Sequence, residues 1–315
     1  MNLLAVFLNT LEVTLPVFAM VFIGIGLKRI GWIDRSFIAM ASALVFRATM
    51  PTLLFLSIIQ ADLDAALNPQ LLGFFAIATL GTFALSWLWA SWRVVHAKRG
   101  VYVQGAFRGN CGIVGIALAT SLYGDYGLSA GGLLLGVVIL CYNVLSVIVL
   151  AAYQPQKRAD WRSIFKHIAH NPLILSLLLA IPVAAFNVSL PGWLMTSGNY
   201  FASLTLPLAL ICIGGTLSVS ALRNDSLTAI SASVMKMAVL PALATTAAWL
   251  VGFSGAELGL LFLFFASPTA SASFVMVKAM GGDAKLAANI IAITTLLASI
   301  TVTGGVFILR VSGLI

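Results

Sequence analysis

Residues 103–118 read VQGAFRGNCGIVGIAL, and residues 262–277 read FLFFASPTASASFVMV. Both are apolar runs interrupted in the middle. Gly105, Gly109, Gly112 and Gly115 punctuate the first, and Pro268 stands in a cluster of small hydroxyl residues in the second. Glycine costs a helix about 1 kcal/mol against alanine, and proline removes a backbone donor and collides with the preceding turn. The breaks, at Asn110 and Pro268, lie 158 residues apart. That spacing recurs. FRGN at 107–110 aligns with FASP at 265–268, and Gly124-Asp125 with Leu128 aligns with Gly282-Asp283 with Leu286. Nearer the start, Pro16 and Pro172, like Pro51 and Pro207, are 156 apart. The chain therefore reads as two similar halves.

Composition sets the solvent of those halves. Of 315 residues, 61% are apolar and 8% charged, and the mean hydropathy is +1.08. A soluble domain carries about 25% charged residues, so this chain cannot coat a water-facing surface. Spanning a bilayer takes roughly 20 apolar residues in a helix, and such stretches are predicted at 4–27, 37–59, 70–92, 101–122, 128–152, 172–189, 194–219, 227–252, 257–280 and 285–310. The ten-residue apolar/polar alternation of a membrane β-barrel is missing. The expected fold is an all-α integral membrane protein with ten spans, divided into a first five-helix repeat (1–153), a basic linker (154–171) and a second repeat (172–315).

Loop charges orient the spans. Odd-numbered loops hold Lys28, Arg29, Arg35, Arg93, Lys98, Arg99, Lys157, Arg158, Arg162, Lys166, Arg223 and Lys285. Even-numbered loops hold none, only acids such as Asp62, Asp64, Asp125 and Glu257. By the positive-inside rule the odd loops are cytoplasmic and both termini lie outside. Because five spans is an odd number, the second half enters the membrane inverted, the arrangement common in secondary transporters. The net charge of +8 is scattered between spans, which argues for topology signals and against nucleic-acid binding. Cys111, Cys141 and Cys212 show no metal or disulfide spacing, and the N-terminal stretch lacks the basic region of a signal peptide.

Broken spans in matched positions point to the binding site of a carrier. The expectation is that spans four and nine cross near the bilayer centre, with half-helix N-termini whose free N–H groups and partial positive charge favour anions. Arg108, Gly109 and Asn110 on one side, and Ser267, Pro268, Thr269, Ser271 and Ser273 on the other, are the candidates to meet a solute or unwound backbone. The alternative for each segment alone is that small residues only allow close helix packing. Ionisable residues within spans are functional candidates, and four of the five here (Arg47, Arg108, Lys236 and Lys278, with Glu12 the exception) are cationic, which leans toward an anion. Arg47, one turn before Pro51, is expected to pair with Glu12 or face a cavity. Glu12, Lys236 and Lys278 are expected near span ends, as snorkelling or structurally paired groups. Pro51 and Pro207 read either as kinks or as bends around a central cavity.

Catalytic patterns fail. His96, His167 and His170 fall in loops without a third zinc ligand. The Gly-Asp pairs sit in loops and look like helix caps, and no nucleophile elbow or phosphate loop occurs. An enzyme is not expected, and no cofactor or metal is implied.

MPTLLFLSI in span two, GAFRGNCGIVGIAL in span four, the YGD that follows and FASPTASASFVMV in span nine together resemble the auxin efflux carrier family, over essentially the whole chain. The resemblance implies inverted five-helix repeats with crossed helices four and nine. It further implies a scaffold of helices one, two, six and seven, a moving transport domain of helices three to five and eight to ten, elevator-type motion, and a homodimer. It implies a small carboxylate such as malonate or malate, or an auxin-like aromatic acid, as solute. The crossover residues would be Asn110 and Pro268; some relatives have proline at both. The expectation is thus a multi-pass carrier in the cytoplasmic (inner) membrane, with a small organic anion and the lipid bilayer as its partners. A ligand sensor that moves nothing, and a sodium-coupled carrier like the bile-acid symporters, are the alternatives, although no acidic sodium ligands stand out.

Overall fold

The computed structural model describes residues 3–60, 68–153, 170, 172–186, 188–217 and 226–315. The basic linker at 154–171 apart from His170, the loop with Asp62 and Asp64, and Arg223 lie outside them. Within the described residues the chain is helical and forms no strand. We number the helices α1 (Leu3–Arg29), α2 (Arg35–Gln60), α3 (Pro69–Arg93), α4 (His96–Phe107), α5 (Cys111–Tyr153), α6 (Pro172–Ala185), α7 (Gly192–Thr216), α8 (Leu227–Val251), α9 (Gly255–Phe265), α10 (Ala272–Ala279) and α11 (Ala284–Val311). Seven of these, namely α1, α2, α3, α5, α7, α8 and α11, are long and apolar enough to cross a membrane. With the apolar surface these helices turn outward, the chain is an integral, multi-pass membrane protein.

Proline accounts for most irregularities in the long helices. A proline ring collides with the carbonyl four residues earlier, and the helix opens there. In α2 a π turn at Val45–Thr49 widens the backbone just before Pro51. In α8 a π turn at Met235–Val239 does the same before Pro241. In α7 the helical run lapses at Leu204, three residues before Pro207.

Gly124 is the other punctuation. It adopts φ 56° and ψ −134° inside α5, a conformation that a side chain disfavours. A Cβ added to Gly127 would lie 2.0 Å from the carbonyl oxygen of Ala119. Residues eight apart on a straight helix are about 12 Å apart, so the chain doubles back at Gly124 and α5 is two antiparallel arms. The matched turn, Gly282-Asp283, separates α10 from α11. There Asp283 caps α11, its carboxylate accepting from the backbone N–H of Lys285 and of Leu286, each at 3.0 Å.

The helices pack in two groups. α1 lies against α7, and α2 against α6 and α7. The first contact is backbone on backbone, since a Cβ on Gly24 would sit 2.2 Å from the Ile211 oxygen and one on Gly214 would sit 1.9 Å from the Val21 oxygen. Small residues allow this approach where lipid supplies no hydrophobic driving force. The second group comprises α3, α4, α5, α8, α9, α10 and α11, each packed on others of the set. The groups meet along α1 with α5 and α11, and along α2, α6 and α7 with α5.

Candidate functional site at a helix crossover

The interrupted runs that open the sequence meet in the interior of the second group. α4 ends at Phe107 and α5 begins at Cys111, while α9 ends at Phe265 and α10 begins at Ala272. The extended residues between them form one antiparallel bridge, Gly109 to Thr269. The N–H of Asn110 donates to the carbonyl of Pro268 at 2.6 Å, and the N–H of Ala270 donates to the carbonyl of Arg108 at 3.2 Å. Backbone groups in a lipid-embedded core must find partners inside the protein. Here each break satisfies the other.

Side chains close the remaining ends. The last four carbonyls of a helix have no partner within it. For α9 they are those of Phe262, Leu263, Phe264 and Phe265, and each is met separately. The Ala266 N–H reaches Phe262 at 2.8 Å, the Ser267 hydroxyl reaches Leu263 at 2.8 Å, the Cys111 thiol reaches Phe264 at 3.2 Å, and the Lys236 ammonium reaches Phe265 at 2.9 Å. At the end of α4, the Arg108 N–H takes the Gln104 carbonyl and the Thr269 hydroxyl takes that of Gly105 at 2.7 Å. The backbone N–H of Thr269 in turn donates to Thr294 Oγ1 of α11 at 3.1 Å.

The expected site residues divide accordingly. Ser267 and Thr269 are buried and spend their hydroxyls on helix carbonyls. Asn110 is buried at the bridge, and Ser271 is half-buried at the start of α10; neither side chain caps the helix it precedes. Ser273, one turn in, is buried with no hydrogen-bond partner for its hydroxyl among the described residues. Arg108 is only 8% exposed, and its guanidinium lies against Asn143 and Ser146 of α5 and the thioether of Met276. All of these partners are neutral. Arg47 is exposed in the π turn of α2, Pro207 is exposed and Pro51 half-buried, on helices of the first packing group.

Lys236 corrects the sequence reading. The expectation for it, as for Glu12 and Lys278, is a place near a span end with snorkelling or structural pairing as its role; Glu12 and Lys278 are exposed. Lys236 instead is 2% exposed in the middle of α8, its ammonium 3.0 Å from where a Cβ on Gly109 would lie. The signal for it was present: a cation near the centre of an apolar span, five residues before a proline. What was not legible is the direction the widened turn gives it.

Beside the crossover a cavity of about 610 Å³ opens between the two helix groups. Its walls come from the end of α1, from α2, the end of α7, the start of α10 and α11. Phe274, Ile291 and several alanines make an apolar lining, Ser42, Thr216 and Ser271 add hydroxyls, and Lys28 and Arg35 add positive charge. Among the described residues no acid lines it. Of the expected site residues, Ser271 alone is in this lining; the sequence allows for a central cavity but does not single out its other walls as site residues.

A family model described as membrane transport protein matches residues 10–305. The chain belongs to the auxin efflux carrier family. As a member of that family it is a membrane transporter. An uncharacterized transporter of Methanocaldococcus jannaschii is 26% identical, over 90% of this chain and 94% of the relative. An uncharacterized transporter of Methanothermobacter thermautotrophicus is 24% identical, over 94% of this chain and 97% of the relative.

Proposed function

We propose that this carrier moves a small organic anion, a carboxylate of the malonate or malate kind or an auxin-like aromatic acid, across the cytoplasmic membrane. The observation that carries the reading is the cavity between the helix groups. Among the described residues it holds two basic side chains and no acid, and its volume lies within the roughly 300–1,000 Å³ usual for small-molecule sites. Apolar walls with a few convergent polar groups suit an organic acid better than an inorganic ion. Ser271 and the first turn of α10 offer a helix N-terminus, which favours negative charge. Arg108 and Lys236, buried behind it with neutral partners, deepen the positive potential.

In this reading the ten predicted spans form two inverted five-helix halves, with both chain termini outside. α4 with the first arm of α5 makes the fourth span, and α9 with α10 the ninth. The α1, α2, α6 and α7 group is the scaffold, and the rest is the transport domain that slides past it as an elevator. Among the described residues, the polar contacts that join the groups are single hydrogen bonds of the kind such a movement can break. Thr14 and Thr303 share a hydrogen bond of 2.9 Å, the Ser121 hydroxyl donates to the Val13 carbonyl at 2.7 Å, and Arg310 reaches Thr10 at 3.4 Å. Since Lys28 and Arg35 belong to basic loops, the open cavity faces the cytoplasm. The family resemblance adds a homodimer. Uptake of labelled acids, amines and sugars into proteoliposomes tests the proposal. Flux of one or more carboxylates is the expected result, and flux confined to cations or neutral solutes refutes it.

A further inference from the structure

A carrier built on broken helices exposes carbonyl groups inside the membrane, and such carbonyls are natural ligands for a small cation. Whether this protein has room for one is answered by the end of α9. The four terminal carbonyls of that helix are all taken, three by neutral donors and the last, at Phe265, by the ammonium of Lys236. The same ammonium lies against Gly109 of the other break. A hydrogen in place of a side chain at residue 109 is what lets it fit, because a Cβ there would be 3.0 Å from the nitrogen and 3.2 Å from the Cys111 sulfur. The carboxylates of the described residues are elsewhere. Asp34 and Asp283 cap α2 and α11, Glu257 bonds Asn68, Asp125 follows the turn at Gly124, and Glu12 is exposed.

We propose that Lys236 is a resident cation: its ammonium occupies the place at the crossover that an inorganic coupling cation would otherwise take. The negative end of α9 is thus neutralised by a side chain that travels with the protein. This inference rests on the carrier reading above and makes transport of the anion independent of sodium. Lys236 is a positioning residue, holding the two breaks together and supplying charge, and its widened π turn is the device that aims it inward.

The test uses the full chain in lipid nanodiscs and proteoliposomes, in sodium, lithium and choline chloride. Wild-type thermal unfolding and acid counterflow are expected to be the same in all three salts; a wild-type flux that collapses in choline overturns the proposal. Lys236→Ala opens a space beside a free carbonyl, so sodium or lithium is expected to raise its unfolding midpoint above that in choline, as any ligand selective for the native state does. A folded Lys236→Ala protein indifferent to the cation overturns it. Lys236→Gln keeps a donor for the Phe265 carbonyl without the charge. Its counterflow in choline is expected to drop about tenfold with the fold retained, the scale of losing one charge-assisted bond; wild-type flux there refutes the need for a cation. The unfolding arms need no substrate, so they stand even where no acid is carried, which separates this failure from failure of the carrier reading.

Discussion

Thr269→Val probes the crossover with a change of one atom. The substitution keeps the branched shape and the backbone N–H that bonds Thr294, and removes only the hydroxyl that donates to the Gly105 carbonyl at 2.7 Å. In an intact helix that carbonyl would be served by the N–H of residue 109, but residue 109 lies in the bridge. The carbonyl is therefore left buried and unpaired, which costs about 1–3 kcal/mol. Hydrogen bonds between membrane helices average nearer 0.6 kcal/mol, because the unfolded state in the membrane finds partners too. An acceptor with no second donor within reach should fall between, at about 1–2 kcal/mol, or roughly a 5- to 30-fold change in the folded-to-unfolded ratio. Thr301→Val is the control. Its hydroxyl also donates to a carbonyl, Leu297 at 3.1 Å, but inside the continuous helix α11, where the main chain serves that carbonyl as well. Its cost should stay within about 0.5 kcal/mol. Reversible unfolding in mixed detergent micelles, followed by tryptophan fluorescence, measures both. If Thr269→Val costs no more than Thr301→Val, the reciprocal closing of the two breaks is not what holds the crossover.

Three further outcomes are expected. Gly214→Ala drives a methyl to within 1.9 Å of the Val21 carbonyl; the α1–α7 contact must open, lowering stability by about 1–3 kcal/mol as overpacking does, whereas Gly73→Ala, which meets nothing within 4 Å, should be neutral by the same assay. The double change Lys28→Gln and Arg35→Gln removes both charges of the cavity, so KM for a carboxylate should rise severalfold and its dependence on ionic strength should flatten, with kcat nearly unchanged. Ala288→Trp fills the cavity from α11 and should abolish uptake while the unfolding transition survives; uptake at wild-type rates would mean that the solute passes elsewhere.

Much of the scaffold for these arguments is legible in the chain itself, for physical reasons. Long apolar runs report the bilayer directly; Pro51 and Pro207 announce interruptions because a proline ring cannot continue the helix ladder, and Gly124 because glycine freely adopts the positive φ of a turn. The offset of 158 residues pairs Asn110 with Pro268, and the structure joins that same pair by a hydrogen bond. Local sequence does not say where a hydroxyl points. Ser267 and Thr269 look like solute ligands in a small-residue cluster, but the carbonyls that claim them, Leu263 and Gly105, are orphaned only once both helices break. The burial of Lys236 is not legible in the sequence because it depends on α4 and α9 arriving on one side of α8. The lining of the cavity was out of reach for the same reason, as Lys28 and Ser42 come from the start of the chain, Thr216 from its second half and Ala288 from the last helix.

The most direct test of the central claim, that a small organic anion is carried through the cavity at the crossover, is counterflow of a labelled carboxylate in proteoliposomes. Wild-type protein should show a transient accumulation of label driven by unlabelled acid of the same kind inside, and folded Ala288→Trp protein should show none. Equal traces from the two proteins, or no accumulation by the wild type with any acid of the panel, would contradict it.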